Sequence, residues 1–157
     1  MADYLASLDA SDHDDSEDAS ASRYFDSRDS GGDRELQIEE ALRKGIGDWI
    51  ATLPTENAAR LLLLGVECRA EQCRILIAQE HYGVGPGATK ADTDLQIELI
   101  AQFNALSAEP WWQALGLHPG RSVSFPAPDG SGIGLWVQYE FIAPAEETSS
   151  ATSVPAT

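Results

Sequence analysis

Positive charge is scarce in this chain. Ten Lys and Arg stand against 26 Asp and Glu, for a net charge of −16. Such a chain is repelled by nucleic acid and by anionic membrane surfaces, so neither is expected as a partner. Apolar runs are short, and none approaches the ~20 residues of a membrane-spanning helix. The opening residues have neither the basic region nor the apolar core of a signal peptide. Histidine and cysteine are also rare. His13, His81 and His118 are scattered and the two cysteines are Cys68 and Cys73, so the chain has no set of about four zinc ligands and no metal site is expected. Four residues separate the thiols, which is not the C-x-x-C redox spacing. No Gly-Lys-Ser/Thr occurs. Gly83, Gly85 and Ala88 fit a loose G-x-G-x-x-A, but the element before them reads as a hairpin and not as the first strand of a parallel βαβ unit. No cofactor is expected.

What is present centres on residues 61–80. Two runs of branched apolar residues flank Arg69-Ala70-Glu71-Gln72, the pattern of a β-hairpin. With Cys68 opposite Cys73, Val66 faces Ile75, Leu64 faces Ile77 and Glu67 faces Arg74. One register then pairs thiol with thiol, apolar with apolar and acid with base. Opposed strand residues lie within reach of a disulfide, so a Cys68–Cys73 bridge is expected, with two reduced packing thiols as the alternative.

The acid is concentrated at the start. Residues 1–35 hold eleven Asp and Glu against three Arg, which is half of the net charge. Residues 1–32 therefore read as a disordered acidic arm whose apolar islands, Tyr4-Leu5-Leu8 and Tyr24-Phe25, either dock or stay idle. Residues 33–143 read as one domain, and 144–157 as a disordered tail. Leu42, Ile46, Trp49, Ile50 and Leu53 form the apolar stripe of a first helix that Pro54 ends. Leu95, Leu99, Phe103 and Leu106 form that of a second helix, which starts near Asp92 or Thr93. A short third helix carries Trp111-Trp112; one indole belongs in the core and the other is partly exposed, and Trp112 is a candidate contact residue. Residues 121–125 and 133–142 are the third and fourth strands. In the fourth, Leu135, Val137, Tyr139 and Phe141 are expected to face the helices, and Trp136 to face outward. The fold class is α+β, two-layer: a four-stranded antiparallel sheet of two hairpins with helices on one face.

The motif Cys68-Arg69, then Cys73-Arg74-Ile75, resembles the C-R-x-x-x-C-R hairpin of small exported or lipid-anchored bacterial proteins. A tryptophan-bearing helix before the hairpin and a Pro-Trp element before the last strands are similar too. The resemblance implies a periplasmic or surface location and a disulfide, and it carries no catalytic residues. A periplasmic or secreted protein is expected if the chain is processed, and a cytoplasmic one if it is not.

The functional expectation is a non-catalytic binding or accessory module of the bacterial envelope with a protein partner, acting through the acidic arm or the open sheet face with Trp136, Leu76 and Leu63. The second reading is an acidic inhibitor or immunity-type protein that neutralises a basic partner. An enzyme would have to use His81, His118, Asp92 or Asp129, none of which has the spacing of a known chemistry.

Overall fold

Helix α1 (Asp33–Thr52) starts where the Glu35 carboxylate accepts from the Gly32 N–H at 2.9 Å. An acid there answers the unpaired donors and the positive end of the helix dipole. The computed structural model describes residues 25–26, 29, 31–83, 87–127 and 131–143. The expected disorder of the remaining arm and tail residues lies outside them. Pro54 forces Leu53 into the extended region (ψ 155°) and ends α1. A single turn, α2 (Thr55–Ala58), leads into β1 (Leu61–Arg69) and β2 (Gln72–Gln79). The reversal between them is tighter than expected: Ala70 and Glu71 alone make the turn, with Glu71 at φ 65°. Helix α3 (Lys90–Ala105) starts earlier than expected, because Thr89 and Asp92 cap it reciprocally: the Thr89 hydroxyl accepts from the Asp92 N–H at 3.1 Å and the Asp92 carboxylate from the Thr89 N–H at 3.2 Å. A 3-10 turn (Leu106–Ala108), α4 (Pro110–Gln113), β3 (Leu117–Pro126) and β4 (Gly134–Ile142) complete the described chain.

The strands form one antiparallel sheet in the order β1-β2-β4-β3, so the fold is α+β as the sequence predicts. Cys68 and Cys73 are bonded, with Cα atoms 4.0 Å apart at a directly opposed pair. The register holds from there to Gly65 opposite Leu76, then slips between Leu63 and Gly65. This bulge seats Leu63 opposite Ile77, where Leu64 was expected. Glycine next to a bulge has a physical reason, since a residue without Cβ tolerates the bend. Leu63 thereby turns to the helix side, and Leu64 to the far side.

The facing of β4 is the reverse of the expectation. Cys73, Ile75 and Ile77 pair with Glu140, Gln138 and Trp136, so the even-numbered residues of β4 share the disulfide's face under the helices. Alternation divides a strand into two sets but does not say which is inward when both faces are covered. Phe103 of α3 is the hub of the helix-side core. Its ring meets those of Trp49 (5.7 Å), Trp136 (6.1 Å) and Trp112 (6.3 Å), all edge-on, the geometry that aromatic quadrupoles favour.

Candidate functional site

The two edges of the sheet are treated differently. In β1 the groups that point away from β2 meet α1: Glu39 accepts from the Cys68 N–H at 3.2 Å, and Arg43 donates to the Val66 carbonyl at 3.0 Å. One helical turn separates these two side chains, so a single face of α1 guards the Val66 to Cys68 stretch of that edge against stray pairing.

The β3 edge is open among the described residues. The Ala127 N–H donates to the Ile133 carbonyl at 2.8 Å. In an antiparallel ladder the bonded pairs alternate, so Phe125 and Val123, opposite Leu135 and Val137, exchange their bonds with β4. Ser122 and Ser124 then direct both N–H and C=O outward. Pro126 brings no donor, and a register shift between Pro119 and Ser122 bounds the window on the other side. Both serines are exposed.

Beside this window lies a cleft of about 100 Å³ between α3 and the sheet, walled by Ile100, Phe103 and Asn104 on one side and by Ser122, Ser124 and Gln138 on the other. Trp136 forms its floor, and the Tyr82 hydroxyl donates to the Ser124 hydroxyl at 3.0 Å near its rim. A polar column runs from the cleft into the core. Gln138 Nε2 donates to Glu140 Oε1 at 2.7 Å, while Glu140 Oε2, Gln138 Oε1 and Trp136 Nε1 are buried without a hydrogen-bond partner among the described residues. Burial pushes the Glu140 carboxyl up to about 7, against the opposing effect of the Gln138 hydrogen bond.

The contact residues expected from the sequence fall elsewhere. Trp136 is 6% exposed and Trp112 2%, both in the core, and Trp111 is the partly exposed indole of the pair. Leu63 is partly buried on the helix side. Leu76 does face away from the helices, but it is covered. The cover is Phe25, from the arm, which packs on Leu76, Val137 and Tyr139. The proposed open sheet face is therefore closed in this structure. Nothing in the sequence singled out Ser122 and Ser124; the available signal was their bracketing by Pro119-Gly120 and Pro126, since proline in a strand marks an edge.

Of the residues an enzyme would need, His81 and Asp92 come near one another, since His81 is among the groups whose electrostatic influence lowers the Asp92 carboxyl, whereas the two histidines lie far apart. His118 is the second residue of β3 and His81 lies just past β2, at opposite ends of the sheet, which seven residues of β4 separate by about 23 Å at ~3.3 Å each. Asp92 is held below the usual carboxylate range by the Thr89 hydroxyl and N–H, with help from Arg60 at 3.4 Å, so its charge is engaged in the helix cap. Asp129 lies outside the described residues. Among the described residues, no group of three or more His, Cys, Asp and Glu is placed to hold a metal ion, and no helix is long and apolar enough to cross a membrane.

No family model, curated protein or solved structure matches the chain.

Proposed function

We propose that the protein is a non-catalytic binding module of the bacterial envelope, and that it takes an extended segment of a protein partner along β3. The open window at Ser122 and Ser124 carries this reading. An added strand finds two outward N–H and two outward C=O groups there, and the adjoining cleft accepts one short apolar side chain. The window is short, so the main-chain bonds alone give weak binding and the cleft must contribute selectivity. A disulfide with both sulfurs buried supports an oxidising compartment, in keeping with the exported proteins that the hairpin resembles.

Charge favours a basic partner. Arg43, Lys44, Arg60, Arg69, Arg74 and Lys90 are each engaged by an acid of the same chain. The charge left for a partner is therefore negative. This also supports the second reading, an acidic inhibitor, in which charge and not strand pairing supplies the affinity.

The test is titration of isotope-labelled protein with an alternating Lys/Val hexapeptide. Binding is expected to shift the Ser122 and Ser124 amide resonances and to be lost in Ser124→Pro, which removes an outward donor and leaves the ladder to β4 intact. If Ser124→Pro binds as the parent does, strand addition is wrong. If that binding also vanishes at high salt, the inhibitor reading gains.

A further inference from the structure

The face of the sheet away from the helices carries a second site, already filled. Phe25 is fully enclosed (0% exposed) on a floor of Leu76, Val137 and Tyr139, with Leu64 and Phe125 at its margin. Two guanidinium groups lie over the ring, Arg74 at 4.4 Å and Arg69 at 5.1 Å from its centroid. The next residue completes the match: the Asp26 carboxylate lies 3.4 Å from Arg74, and its carbonyl accepts from Arg69 at 2.9 Å. Arg74 is only 5% exposed, with Glu67 at 3.2 Å as its other carboxylate. A charge this buried is costly unless anions surround it, so Asp26 belongs to the site as much as Phe25 does. The Ala70 N–H donates to the Asp29 carbonyl at 3.1 Å and fastens the segment that follows to the hairpin turn.

We propose that this face is a recognition site for a peptide motif of an aromatic residue followed by a carboxylate. The chain's own Phe25-Asp26 occupies it in cis, and such a motif on a partner protein takes it when the arm leaves. The chemistry of the occupant is read from the occupant present. The floor takes a flat apolar ring, cation–π contact with two arginines favours an aromatic over an aliphatic side chain, and the ion pair selects an acid next to it. The tether sets the threshold for exchange. A segment linked this closely acts at an effective concentration on the order of millimolar, so a free peptide competes only at comparable concentration or with higher affinity. The site lies on the opposite face from the β3 cleft, and neither depends on the other.

The probe is a fluorescein-labelled heptapeptide with the sequence of residues 23–29, titrated into the full chain and read by anisotropy. Phe25→Ala is expected to bind it at least tenfold more tightly than the parent, and to bind the same peptide with alanine in place of phenylalanine at least tenfold more weakly. Equal affinity of parent and variant, or of the two peptides, would overturn the proposal. A second measurement needs no variant: in the labelled parent protein, millimolar unlabelled peptide should displace the arm and shift the Phe25, Asp26 and Asp29 amide resonances, whose contacts with the sheet and the hairpin turn are lost. Unchanged resonances there would overturn the proposal independently.

Discussion

Replacing Glu140 by Gln should stabilise the protein, and only at neutral to alkaline pH. Glu140 is 3% exposed, with Cys73 and Pro119 as its cross-strand neighbours, and one carboxylate oxygen has no partner among the described residues. Burial raises the carboxyl from an ordinary 4.5 to about 7. Below pH 4.5 the group is protonated in folded and unfolded chains alike, and no stability is lost. Between 4.5 and 7 the folded chain holds its proton more tightly, so stability falls as the pH rises. Above 7 the folded chain carries a buried charge, and the loss is complete. At about 1.4 kcal/mol per pH unit that interval corresponds to about 3 kcal/mol at most. Gln keeps the shape and the hydrogen bond to Gln138 but does not titrate. Urea unfolding at pH 4.5 and pH 8.5 should therefore give nearly equal stabilities for parent and variant in acid, and a variant more stable by about 1–3 kcal/mol in base. A difference independent of pH, or one larger in acid, would refute the assignment of a buried, neutral Glu140.

Other substitutions discriminate core from surface. Trp136→Ala should cost about 3–5 kcal/mol in urea unfolding, the range for a large buried aromatic, whereas an outward-facing tryptophan would cost far less. Ser124→Ala should cost about 0.5–1.5 kcal/mol, since it removes the acceptor of the buried Tyr82 hydroxyl at an otherwise exposed edge position. Gly134→Ala places a methyl group against the Tyr82 ring and should lower stability by about 1–3 kcal/mol; an unchanged melting temperature would show that Tyr82 moves aside freely. Substituting both cysteines by serine should cost about 2 kcal/mol by the loop-entropy estimate for so short a ring, and a loss of all cooperative melting would mean that the bridge does more than pin the turn.

Local chemistry was legible in the sequence. Pairing of the hairpin followed from three kinds of cross-strand match at once, and it holds from Cys68 to Gly65. The stripes Leu42-Ile46-Trp49 and Leu99-Phe103-Leu106 gave both long helices their buried faces. Facing and cover were not legible. Gly65 looked like an ordinary strand residue, yet the adjoining bulge turns Leu63 inward. In β4, Leu135-Val137-Tyr139 is as apolar as a core set should be, but it lies on the other face, where Phe25 packs on Val137 and Tyr139. Phe25 belongs to the two-residue island Tyr24-Phe25, too short for any periodicity to link it to Leu76, Val137 and Tyr139. The half-buried Gln138 and the buried Glu140 broke the rule that polar residues look outward. They sit beside the cleft, where sequence rules are most often violated.

Residue-resolved hydrogen exchange along β3 tests the open edge most directly. In the free protein the Ser122 and Ser124 amides should exchange rapidly while Val123 and Phe125, bonded to β4, are protected, and an extended peptide ligand should slow the two serines alone. Protection of Ser122 and Ser124 equal to that of Val123 and Phe125 in the free protein would mean that the edge is already covered, and the binding site proposed there would not exist.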